Sequence, residues 1–383
     1  MHVITKTKDL AAACQRLAAH DYVTVDTEFL RETTFWPKLC VIQMAGPDMA
    51  FIVDALSEGL DLEPFFELMR DGNVTKVFHA ARQDIEIIYH LGELIPAPLF
   101  DTQVAAMVCG FGESVGYDTL VTKITGKGID KSSRFTDWSR RPLTERQLKY
   151  AEADVTHLRK VYKYLRKQLE KSGRSHWLTS EMAILESPET YFIPPENAWK
   201  RIKARSNKPR FFAILQAIAA WREEQAHHQD IPRSRILRDE ALLEIASNPP
   251  KDAEKLSHVR GIGKKFAEGK MGAGLLAAVR KGQTLPDDQC PAVPQKTLPP
   301  KGLGPLMDLL KVLLKSRCEE GGVAQKLICN SQDLEKIAAD SNADIPALKG
   351  WRYEVFGQHA LALKEGKIGF TAENNRIRII DLS

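Results

Sequence analysis

Apolar positions recur at helical spacing from residue 5 to residue 20. They give way to Val23-Thr24-Val25-Asp26-Thr27-Glu28-Phe29-Leu30, a β-branched and apolar stretch that reads as a short buried strand. Two more apolar runs, 39–45 and 49–53, flank Gly46-Pro47-Asp48, and those turn residues predict a hairpin. Three strands therefore open the chain, the first paired to the second. A helix over 61–70, a strand over 74–78, a helix entered through Asp84 and a strand ending near Thr102 follow. Thr144-Glu145-Arg146-Gln147 fits a capping box. The helix it starts carries Leu148, Ala151, Val155, Leu158, Tyr162, Leu165 and Leu169, whose three-and-four spacing defines a buried stripe. Strands alternating with helices after an initial hairpin predict an α/β domain with a mixed sheet over residues 1–185.

Beyond it the pattern reads as helical throughout. Residues 186–204 form a proline-punctuated connector, and 285–300 form a second linker rich in proline. Between and after them, 205–284 and 301–383 read as two copies of one small all-α module. Positions 239–246 answer to 331–338, and Val259-Arg260-Gly261 answers to Leu348-Lys349-Gly350.

The 383 residues are 43% hydrophobic and 27% charged, ordinary for a globular chain. No apolar run approaches the roughly 20 residues of a membrane span. The first residues lack a basic-then-apolar signal, and the six cysteines show no C-x-x-C spacing. A reducing, cytoplasmic setting is expected, with neither zinc nor disulfides. The net charge of +4 is unevenly spread. Lys200, Arg201, Lys203, Arg205, Lys208 and Arg210 form a run without an acid, and Lys131, Arg134, Arg140, Arg141, Arg146 and Lys149 form a looser one. A charge run is commonly a solvated face, but two beside a candidate metal site favour a polyanion partner.

That candidate begins with Asp26 and Glu28. Side chains on a strand alternate, so both carboxylates project from one face, where they repel each other and resist desolvation. A hard divalent cation relieves both costs. Asp84 falls in the first turn of its helix, where the helix dipole alone would also suit it. Tyr150 and Asp154 stand four residues apart beside the buried stripe and share a face.

Four acids and a phenol in this order resemble the motifs of the DEDD exonucleases, in the subgroup whose third motif is Tyr-x-x-x-Asp. The stretch Val25-Asp26-Thr27-Glu28-Phe29-Leu30 with the hairpin after it, Val77-Phe78-His79-Ala80-Ala81-Arg82-Gln83-Asp84, and Asp137-Trp138-Ser139-Arg140-Arg141-Pro142 leading to Tyr150 and Asp154 are similar to the three motifs of the ribonuclease D family. The two C-terminal modules resemble HRDC domains. The resemblance implies a ribonuclease H-like mixed sheet plus two HRDC-like units. It also implies a monomeric 3′→5′ exoribonuclease acting on RNA 3′ ends such as tRNA precursors, releasing nucleoside 5′-monophosphates. Two Mg²⁺ or Mn²⁺ ions are implied as cofactors. Asp26 would bridge them, Glu28 and Asp154 would complete the water-side ion, and Asp84 would hold the other. Tyr150 would orient the attacking water.

Other positions are implied as substrate contacts: Thr27, Phe29, Leu30, His79, Gln83 and Arg141, with Lys200, Arg201, Lys203 and Arg205 on the nucleic-acid backbone. Phe29 and Leu30 read equally as core, His79 as structural, and Trp138 and Arg141 as supports of the third motif. Gly261-Ile262-Gly263-Lys264 reads as a phosphate-facing helix start or as a plain turn. Two alternatives stand beside this reading, a DNA-directed exonuclease of the same superfamily and a non-catalytic nucleic-acid-binding protein. A helicase motor is excluded, because there is no G-x-x-x-x-G-K-[ST] loop.

Overall fold

The hairpin expected around Gly46 lies at the centre of a six-stranded sheet. A computed structural model describes residues 3–130, 132–293, 302–374 and 376–382. Lys131 of the looser basic segment lies outside the described residues, as do positions 294–301 at the end of the expected linker. The strands are β1 (Val3–Ile4), β2 (Tyr22–Leu30), β3 (Lys38–Ala45), β4 (Ala50–Asp54), β5 (Thr75–Phe78) and β6 (Leu99–Asp101), in the order β1-β4-β3-β2-β5-β6. β3 pairs antiparallel with β2 and β4, and the other pairs are parallel, so the sheet is mixed. Two residues of β1 carry no readable periodicity, and the sequence did not announce that strand.

β2 outruns its neighbour. Its pairing with β5 covers only Tyr22–Thr24, so from Val25 onward one edge of β2 faces no strand. On the other edge the ladder slips between Glu28 and Phe29, where Cys40 is the extra residue, a bulge of the kind that re-aims side chains beside a site.

The helices of this layer are α1 (Thr7–Ala18), α2 (Glu63–Arg70), α3 (Arg82–Gly92), α4 (Thr102–Val108), α5 (Tyr117–Thr125), α6 (Glu145–Ser172) and α7 (Ser175–Leu185). The Thr144 capping box starts α6. Ala151, Val155, Leu158, Tyr162, Leu165 and Leu169 are buried along it, as their spacing requires, and it packs over β2, β3 and β4. Thr24 fixes that crossing, its hydroxyl lying 2.9 Å from the Val155 carbonyl and 3.1 Å from that of Ala45.

The first helical module begins with a 21-residue helix (Pro209–Gln229), a four-residue one (Arg233–Ile236) and a nine-residue one (Asp239–Ser247). The second repeats the order with helices of 18, four and nine residues at Gly304–Gly321, Gln325–Ile328 and Ser331–Ala339. In the first, Gly282 sits on the backbone of Ile214, where a Cβ would come within 2.5 Å of its Cα. Only glycine allows that helix crossing.

The all-α expectation for 301–383 needs correction. After the helix ending at Lys364, β7 (Ile368–Glu373) and β8 (Arg376–Asp381) pair antiparallel. Ile368 and Phe370, then Ile377 and Ile379, alternate with polar residues, and period two builds a strand rather than a helix.

The two modules meet the exonuclease layer differently. The second shares its hydrophobic core: Trp177 stacks on Trp351 at 4.3 Å and 10°, Arg352 donates to Glu181, and the Ala324 N–H donates to the Met107 carbonyl at 3.0 Å. The first has a core of its own, entered by Phe35 from the loop after β2. Asp230 accepts from the Phe35 and Trp36 N–H groups at 3.0 Å each, and Trp36 stacks on His90 at 4.1 Å.

Candidate active site

Asp26 and Glu28 point from β2 toward α6, and Asp154 meets them there. Oxygens of the three carboxylates lie within 4.8 Å of one another. Ala151, Val155 and Leu158 pin α6 around Asp154, and a fully buried Val or Leu contributes about 1.5–3 kcal/mol. Asp84 arrives from the first turn of α3, at the edge of β2 that β5 leaves unpaired. Because β5 stops short, the Thr27 N–H faces no strand and donates to Asp84 Oδ1 at 3.1 Å. The Thr27 hydroxyl donates to the same oxygen at 2.5 Å. Thr27 is buried with its polar groups turned to Asp84, which it positions.

All four acids are driven upward in pKa. Burial and then the charge of Asp154 hold Asp26 well above the usual carboxylate range. Burial and then Asp26, Asp154 and Asp84 push Glu28 up to about 10. Burial raises Asp154 to about 7, against a hydrogen bond from Tyr150 and the nearby charge of Arg134. Asp84 is raised by burial and by Asp26. A set of crowded, oxygen-only donors short of positive charge fits a hard divalent cation. Burial and the charges of Asp154, Glu28 and Asp26 keep Tyr150 a neutral phenol.

Sequence reasoning missed Tyr117, which opens α5 without any motif. Its hydroxyl donates to the Asp154 carbonyl, and its ring lies 5.3 Å from that of His79. The Thr102 hydroxyl donates to the Phe78 carbonyl at 2.9 Å and lies 3.0 Å from His79 Nδ1. Burial pushes the His79 imidazole down, against the charge of Asp101 and a contact with the Val115 backbone.

The 3′-5′ exonuclease family matches residues 1–170, and the HRDC domain family matches residues 211–279. A ribonuclease D of Granulibacter bethesdensis is 52% identical over 379 residues, covering 99% of this chain and 96% of the relative. One from Nitrobacter hamburgensis is 51% identical, with both chains covered in full. The chain belongs to the ribonuclease D family. The crystal structure of Escherichia coli RNase D, an exoribonuclease involved in structured RNA processing, superposes with a TM-score of 0.81 at 29% identity, covering 95% of this chain and 98% of that one. This ribonuclease D family member is a 3′→5′ exoribonuclease.

The other positions expected in a ribonuclease D site divide. Arg141 is engaged within the protein. Its Nε and Nη2 donate to Asp54 at 2.7 and 2.5 Å, Nη1 to the Trp138 and Arg140 carbonyls at 2.7 and 2.8 Å, and Nη2 also to the Cys40 carbonyl at 2.9 Å. A guanidinium has five N–H donors, and none remains for a phosphate. Arg141 ties the third motif's lead-in to the sheet, and buried Trp138 packs 6.0 Å from the Tyr150 ring. Phe29 packs partly on the main core and Leu30 on the small cluster around Trp138. Gln83 is exposed and lines a cleft of about 320 Å³ with Arg31, Arg82, Arg201 and Arg233. Lys200, Lys203 and Arg205 are exposed, and among the described residues no acid lies within 4.0 Å of them.

Proposed function

We propose that this exoribonuclease matures the 3′ ends of tRNA and other small structured RNAs, releasing nucleoside 5′-monophosphates. Asp26, Glu28, Asp84 and Asp154 hold two divalent cations, Mg²⁺ or Mn²⁺. The observation that carries this reading is the convergence of three carboxylates within 4.8 Å, with Asp84 alongside. Bound there, such cations supply an activated water and a stabilised departing 3′-oxygen. The protein's own residues prepare the site. Thr27 holds one oxygen of Asp84 and leaves the other for a cation. Tyr150, a phenol at every physiological pH, orients the attacking water by hydrogen bonding and is not its base.

The organisation that supports this reading has an exonuclease domain at 1–185, a connector at 186–204, HRDC-like modules at 205–284 and 301–383 and a linker at 285–300. The repeated helix lengths support the second module as an HRDC-like copy. The enzyme acts as a cytoplasmic monomer. No helix among the described residues is long and apolar enough to cross a membrane.

The direct test is digestion of a tRNA carrying a 3′ extension, with products resolved to one nucleotide. Wild type should trim the extension stepwise to 5′-monophosphates, and Asp84→Ala should leave it whole. Stepwise trimming by Asp84→Ala would overturn the site.

The basic run has its own expectation. Replacing Lys200, Arg201 and Lys203 by Ala should weaken RNA binding more at low salt than at high salt. The slope of log affinity against log salt should shrink by about 0.7 per cation removed. A loss independent of salt would remove these residues from the RNA path.

A further inference from the structure

Phe135 is 90% exposed, the most exposed large hydrophobic side chain among the described residues. A lone exposed apolar residue is ordinary, but this one is held in place. Ser133 to Thr136 form a turn, with the Thr136 N–H donating to the Ser133 carbonyl at 3.2 Å and the Thr136 hydroxyl donating to it at 2.8 Å. Ser133 is buried. Gln147 Nε2 donates to the Thr136 hydroxyl oxygen at 3.2 Å, while Gln147 Oε1 is engaged in the Thr144 capping box. The turn is therefore tethered to the first turn of α6. Gln147, Tyr150 and Asp154 follow one another along a face of that helix, so the tether fixes the turn relative to the catalytic acids.

Arg134 and Phe135 occupy the two central positions of the turn, which the anchored ends force outward. The Arg134 guanidinium carbon lies 5.2 Å from the centre of the Phe135 ring. Arg140, Arg141 and Arg146 of the same segment are paired with Asp137, Asp54 and Asp130. Arg134 has no acid within 4.0 Å among the described residues, yet its charge reaches both Glu28 and Asp154. A rigidly presented aromatic face with a free guanidinium beside it is the combination that single-stranded nucleic acid meets by base stacking and phosphate contact.

We propose that the tip of this turn is a substrate-contact site, in which Phe135 stacks on a base of the single-stranded 3′ tail and Arg134 bonds a neighbouring phosphate. The inference rests on the exoribonuclease site described above. It adds to that site a sequence-tolerant grip on the tail outside the cation cluster. It also accounts for an apolar ring kept in water at a position from which no core is built.

The test uses the full-length enzyme and a 5′-labelled single-stranded RNA. Phe135→Ala should raise KM and the RNA dissociation constant roughly 10-fold, with kcat and the melting temperature close to wild type. Phe135→Trp should restore binding. Arg134→Ala should lower the salt slope of binding by about 0.7, with Arg134→Lys intermediate. Abasic RNAs, each lacking one base near the 3′ end, provide the decisive comparison. At one position, loss of the base should weaken wild type and leave Phe135→Ala unaffected. Wild-type KM in Phe135→Ala, or equal sensitivity of both proteins at every abasic position, would overturn the proposal. Failure of the nuclease reading looks different, because wild type itself would then leave the 3′ end intact.

Discussion

Asp26→Asn is expected to slow 3′→5′ digestion of RNA by roughly three orders of magnitude, while the metal-free protein becomes harder to melt. Asparagine keeps the shape of the side chain and removes the charge that acts on both Glu28 and Asp84. The two effects have opposite signs because the four acids cost the fold what they give the chemistry. Their pH signature follows from the same crowding. An unfolded carboxyl titrates near pH 4, whereas Glu28 in the fold titrates at about 10 and Asp154 at about 7. Between those limits the folded state binds more protons than the unfolded one, so metal-free stability falls as pH rises from about 4 toward about 10. The decline should be shallower in Asp26→Asn. Mg²⁺ or Mn²⁺ should raise the wild-type melting temperature more at pH 8.5 than at pH 6, since protons and cations compete for the same oxygens. Melts in chelator and in metal, beside digestion rates, check all of this. An active variant no more stable than wild type would refute it.

Arg141→Ala should destabilise the folded protein by about 3 kcal/mol, read from urea midpoints. The side chain makes five hydrogen bonds, and its loss leaves Asp54 and the Cys40 and Trp138 carbonyls short of donors. Arg141→Lys should rescue little, because a single ammonium lacks the planar fork that reaches these acceptors. Burial pushes the Asp54 carboxyl up, but the hydrogen bonds from Arg141, the Leu56 N–H and Ser57, together with the Arg141 charge, hold the group below its ordinary value. This pair therefore stabilises above the usual carboxylate pKa and fades as pH falls through the depressed one, the reverse of the Asp26 cluster. Wild-type stability in Arg141→Ala would show that the clamp is redundant.

Much of this was legible because it is local. The Gly46 turn, the Thr144 box and the stripe from Ala151 to Leu169 are each set by neighbours in sequence, and they form as expected. What escaped depends on distance. That Thr27 serves Asp84 follows only once β5 is seen to stop short of β2. A supporting role for Arg141 was legible, but its remote partners Asp54 and the Cys40 carbonyl were not, because they lie 87 and 101 residues away in the chain. Phe35 and Trp36 seat the first helical module, and their hydrogen-bond partner there, Asp230, lies 195 and 194 residues away in the chain. The C-terminal hairpin is a different failure: its alternation was present and was overlooked behind a run of helices.

The loop that enters the first helical module leaves the strand of Asp26 and Glu28 directly, with no element between. The first module is therefore joined, through Phe35 and Trp36, to the same strand that carries two of the acids. The C-terminal module instead shares one core with the nuclease layer.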